Sequence, residues 1–83
     1  MGAVSGFRVT TTAEVAMEIG AYGAERRAVI EEALGQLSDE TSLSWGAPDG
    51  PGRYAELLPG TAFYWLVLER PRLVVVWQMA QLA

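Results

Sequence analysis

The sequence contains no cysteine, no histidine and no lysine, and each absence removes a class of chemistry. Without cysteine there are no disulfides, thiol nucleophiles or thiolate metal sites, and a secreted domain this small usually depends on such cross-links. Without histidine, the commonest general base near neutral pH and the commonest metal ligand are both missing. Without lysine, a phosphate loop of the G-x-x-x-x-G-K type is excluded, and the glycines of "WGAPDGPG" do not fit G-x-G-x-x-G either. No cofactor is implied.

Long apolar runs are lacking too. Residues 62–68 are interrupted by "ERPR" before residues 73–77 resume, and neither run approaches the ~20 residues that span a bilayer as a helix. Placing Glu69, Arg70 and Arg72 in hydrocarbon would cost about 2.5 kcal/mol or more each. The opening "MGAVSGFRV" has neither a basic leader nor a long apolar stretch, so a cytoplasmic location is the expectation and no membrane is involved.

What the chain does contain suits one small globular domain over residues 1–83. Of its 83 residues 51% are hydrophobic and 19% charged, enough apolar surface for a core near the lower size limit of unaided folding. Ten acidic residues stand against six arginines, a net charge of −4, which argues against a nucleic-acid partner.

"GFRVTTT" reads as a short strand, alternating at Phe7 and Val9. "TTAE" then offers a capping box, with Thr11 as the cap and Glu14 reaching back, opening a helix over residues 12–19. Val15, Ala16 and Ile19 share one face, and Gly20 and Gly23 end the helix. A second helix over 24–37 carries Val29, Ile30, Ala33, Leu34 and Leu37 in a single stripe. "SDETSLSWGAPDGPG" reads as a loop, with a short strand or turn near Leu43 to Trp45. Three strands follow: "RYAELL", "TAFYWLVLE" after a Pro59-Gly60 turn, and "LVVVWQMA" after the charged connection at Arg70-Pro71-Arg72. In "TAFYWLVLE" both alternating sets are apolar, Phe63, Trp65 and Val67 against Tyr64, Leu66 and Leu68. Such strands are usually central or covered on both faces. The order predicts an α+β fold, with an N-terminal strand, a helical hairpin, then a three-stranded antiparallel meander.

Candidate chemistry is sparse. Glu31 with Glu32, and Asp39 with Glu40, are neighbours that point in different directions on a helix and suit solvated ends and faces better than acid–base work. Trp45, Tyr54, Phe63, Tyr64, Trp65 and Trp77 could stack bases, but without a basic surround they fit a core or a protein interface better. An uncovered apolar sheet face beyond a few hundred Å² would mark a partner site.

The stretch "FRVTTTAEVAMEIGAYGAERRAVIEEALGQLSDE", followed by a loop and "RYAELLPGTAFYWLVLERPRLVVVWQMAQ", resembles the RelE/ParE superfamily of bacterial toxin–antitoxin toxins. The resemblance rests on element order, on "LLPG" leading into a strand that ends in an acidic residue, and on "RLVVVWQMA" as the last strand. It implies a partner of antitoxin type. The messenger-RNA-cleaving members place basic groups where this chain has Phe63, Gln78, Met79, Ala80 and Gln81, which leaves Arg53 and Tyr64 as the candidate catalytic pair of a ribosome-dependent endoribonuclease. The members that act through protein contacts lack that set, and this sequence fits them better. The candidate partner-binding residues are then Trp65 and Trp77, with Arg70 and Arg72. A non-enzymatic module that pairs its apolar sheet face with a second copy, as a homodimer, is the remaining expectation.

Overall fold

The computed structural model describes residues 7–39, 45–70 and 72–82. The elements run β1 (Arg8–Thr11), α1 (Ala13–Gly20), α2 (Ala24–Gly35) with a 3-10 turn (Gln36–Ser38), β2 (Ala47–Asp49), β3 (Gly52–Leu58), β4 (Thr61–Leu68) and β5 (Leu73–Gln81).

The predicted helical hairpin is present, shifted at its start. Thr11 remains a strand residue opposite Val76, and the Thr12 amide still donates to the Val76 carbonyl at 3.1 Å. The cap therefore falls one residue later than expected, on Thr12, whose hydroxyl accepts from the Val15 amide at 3.3 Å. A threonine cap of this kind contributes about 1 kcal/mol. Val15 and Ile19 are buried on α1, whereas Ala16 faces water. On α2 the buried set is Ile30, Ala33 and Leu34, continued by Leu37 in the 3-10 turn. Val29 lies off that stripe and is exposed, because it sits a quarter turn behind Ile30.

The sheet is five-stranded and mixed, in the order β1-β5-β4-β3-β2. The expected meander is its antiparallel centre, β3-β4-β5. Two features extend it. β1 joins the far side of β5 as a parallel strand, with Arg8 opposite Leu73 and Thr11 opposite Val76. β2, in the stretch expected to be loop, pairs with β3 through a two-residue turn in which Gly50 takes φ 55° ahead of Pro51. That geometry needs a glycine first and accepts a proline second, so the composition that reads as loop is also the chemistry of a tight hairpin. Pro48 is tolerated because β2 is an edge strand.

Both helices lie on one face of the sheet. Between them and the strands sits the core of Phe7, Val15, Ile19, Ile30, Leu34, Leu37, Phe63, Trp65, Val74, Val76 and Met79. Each large side chain buried here contributes about 1.5–3 kcal/mol. A bulge in β5 sets which residues reach this core. Trp65 pairs with Val76 but Tyr64 pairs with Gln78, so Trp77 is an extra residue. The extra residue shifts the alternation, bringing Met79 inward opposite Phe63 and leaving Trp77 and Gln78 outward.

Candidate partner-binding face

The sheet face away from the helices is covered by no other element among the described residues. The strand alternation places Tyr54 of β3, Tyr64, Leu66 and Leu68 of β4, and Val75 of β5 on it. Three aromatic rings form a row across the strands. Tyr54 stacks on Tyr64 with centroids 5.3 Å apart and planes at 21°, and Tyr64 meets Trp77 at 5.7 Å and 53°. Trp77 reaches this face by ordinary alternation from Val75, and the β5 bulge sets Gln78 in place of Trp77 directly opposite Tyr64. Tyr54, Trp77 and Leu68 are 39%, 37% and 43% exposed, so the row is held in place yet still accessible. Phe63 and Trp65 alternate to the opposite side and are wholly buried. Of the two expectations for a strand apolar on both faces, β4 meets the first: it is the central strand of the sheet, with one set of its apolar residues in the core and the other on the open face.

The candidate residues from the sequence separate accordingly. Arg53 stands opposite Trp65 in the ladder while Tyr64 stands opposite Tyr54, so Arg53 and Tyr64 project from opposite faces of the sheet. They are not brought together. Arg53 instead donates from Nε to the Trp45 carbonyl at 2.7 Å and from Nη2 to the Gly46 carbonyl at 3.2 Å, tying the chain ahead of β2 to β3. Trp65, expected at a partner surface, is fully buried, and its Nε1 has no hydrogen-bond partner among the described residues. Its strand position faces the helices, which removes it from any surface. Trp77 does lie on the open face. Arg70 is exposed in the β4–β5 connection. Arg72 places its guanidinium 4.5 Å over the Phe7 ring, a cation–π contact that holds the start of β1 against the start of β5.

Two groupings had no counterpart in the sequence reading. At the far end of β4 and β5, Arg26 Nη2 donates to the buried Thr61 hydroxyl at 3.1 Å and that hydroxyl donates to Gln81 Oε1 at 3.2 Å. Gln81 Nε2 then donates to the Tyr22 hydroxyl at 2.7 Å, so the cluster joins the helical hairpin to the sheet. The second grouping is a cleft of about 570 Å³ between α1 and β5, lined by Glu14, Met17, Glu18, Trp77 and Gln78. The i, i+4 spacing of Glu14 and Glu18 is the one signal for it in the sequence.

Among the described residues no group of three or more acidic, histidine or cysteine side chains could hold a metal ion. No helix among them is long and apolar enough to cross a membrane. The architecture is that of an α+β protein with a helical hairpin on one face of a mixed sheet and an aromatic row on the other. Comparison with protein-family models, with curated proteins and with solved structures found no match to the chain.

Proposed function

We propose that this chain is a toxin-fold protein of RelE/ParE type that acts in the cytoplasm by binding another protein, an antitoxin-like partner in the first instance, through its open sheet face. The observation that carries the reading is the row Tyr54–Tyr64–Trp77, flanked by Leu66, Leu68 and Val75, on the side of the sheet that no described helix covers. Aromatic side chains locked in a row supply large contact area with little rotamer entropy left to lose, which is the composition of interface hot spots. The succession of strand, helical hairpin and meander agrees with the order that the resemblance implies. An endoribonuclease reading gains no such support. In-line cleavage needs groups that converge on one phosphate, and Arg53 and Tyr64 diverge across the sheet.

The test is expression in bacteria with and without the product of the neighbouring gene. Growth arrest that the neighbour relieves is the expected result. Unaffected growth at high soluble expression overturns the toxin reading. In the same assay the double variant Tyr64→Ser, Trp77→Ser should lose capture of the neighbour while its circular dichroism spectrum stays that of the parent.

A further inference from the structure

Trp77 belongs to two surfaces at once. It ends the aromatic row on the open face, and it forms one wall of the cleft against α1. Across the cleft stand Glu14 and Glu18, one helical turn apart, with Met17 between them 76% exposed. No basic residue lines it. Its floor runs beside the part of β5 that β1 leaves open, since β1 pairs only as far as Val76 and no described strand pairs with Trp77 to Gln81 on that side. An unpaired strand edge, two apolar side chains and two carboxylates with no cation beside them are the three elements of a peptide groove. The edge bonds main chain, the apolar pair takes an anchor, and the carboxylates select charge.

We infer that this cleft docks an extended, basic segment of the partner, adding it as a strand beside Trp77 to Gln81, with an apolar side chain between Met17 and Trp77 and cationic side chains on Glu14 and Glu18. The inference rests on the protein-binding reading above and names the chemistry of the partner: a cationic, apolar-anchored peptide strand. The chain's own excess of acidic residues acts in the same direction at longer range, raising the rate of encounter with such a segment.

The experiment uses the full chain and two octapeptides, one alternating arginine with leucine and one alternating glutamate with leucine. Binding is followed by calorimetry and by amide exchange. The arginine peptide should bind at least about tenfold more tightly than its glutamate counterpart, and should lose that advantage at about 1 M salt, where charges are screened beyond ~3 Å. The variant Glu14→Gln, Glu18→Gln should weaken it by roughly fivefold or more, and Met17→Ser should weaken it independently. Amides within Trp77 to Gln81 should gain protection on binding.

Equal affinity for both peptides, or affinity unchanged in the glutamine variant, overturns the inference. So does an equal loss in a control that neutralises Glu31 and Glu32 on α2, because that result means diffuse attraction to an acidic surface. The two proposals fail separately. Absence of growth arrest with peptide binding intact removes the toxin reading and leaves the groove. Relief of arrest by the neighbour, with its affinity unchanged for the glutamine variant, removes the groove and leaves the toxin reading.

Discussion

Replacing Arg53 with alanine should lower stability, and the size of the loss follows from two hydrogen bonds. The guanidinium holds the Trp45 carbonyl at 2.7 Å and the Gly46 carbonyl at 3.2 Å. Hydrogen bonds to a charged group contribute about 1.5–3 kcal/mol when buried. Here the side chain is half-buried and the second bond is exposed, so water replaces part of what is lost. The net effect should be about 1–2 kcal/mol. In a domain of this size each kcal/mol moves Tm by about 4–8 °C. Thermal unfolding followed by far-ultraviolet circular dichroism should therefore show a fall of roughly 5–15 °C. Tryptophan emission should report a more solvated Trp45 before the main transition. Arg53→Lys keeps the charge and the alkyl stem but not the forked donor, and should recover less than half of the loss. A melt within about 2 °C of the parent, together with loss of the biological effect, would refute the reasoning. Arg53 would then be acting on a bound molecule instead of on its own backbone.

Trp65→Phe removes ring area from the core but also removes an indole N–H that has no partner among the described residues. The two effects oppose, each being worth about 1–3 kcal/mol, so the change measured by urea unfolding should lie within about 1 kcal/mol of zero, and a loss above about 3 kcal/mol would show that the N–H is bonded. Gly46→Ala should cost about 2–4 kcal/mol, since φ is 71° and the added Cβ would run into the Tyr54 carbonyl oxygen; the same unfolding titration decides it. Thr61→Val keeps the shape of a fully buried side chain but deprives Arg26 and Gln81 of their shared hydroxyl, and should lower stability by about 1–3 kcal/mol, with Thr61→Ser restoring most of it.

The strands and helices were legible where a period was strong. β4 and β5 announced themselves through β-branched and aromatic residues, and α2 through its stripe. The faces were not legible. Both alternating sets of β4 are apolar, so nothing in the strand itself says which set meets the helices. The answer comes from register, and register depends on irregularities. The turn at Pro59-Gly60 closes with Leu58 opposite Thr61, and a shift between Glu56 and Leu58 then sets Arg53 against Trp65. Without that one-residue shift Arg53 would fall opposite Leu66 and share a face with Tyr64, the arrangement the candidate pair required. The bulge at Trp77 has a similar effect further along β5, turning Met79 into the core and Gln78 outward while Trp77 keeps the face it shares with Val75. β2 was missed for a different reason. Its three residues gain their order from the Gly50-Pro51 turn and from β3, not from any propensity of their own.

The parallel pairing of β1 with β5 also sets an order of assembly. β5 is the last of the described elements to leave the ribosome, yet it is the only described strand beside β1. Val15, Ile19, Ile30 and Leu34 are therefore made well before the sheet that will cover them. Until then the helical hairpin presents its apolar stripe to solvent, the condition in which nascent chains engage chaperones. The meander can nucleate locally through its short turns, whereas β1 must close a loop nearly as long as the chain. Docking of β1 should be the slow, late step of folding, and the rate of that closure sets how long the nascent hairpin stays exposed to proteolysis.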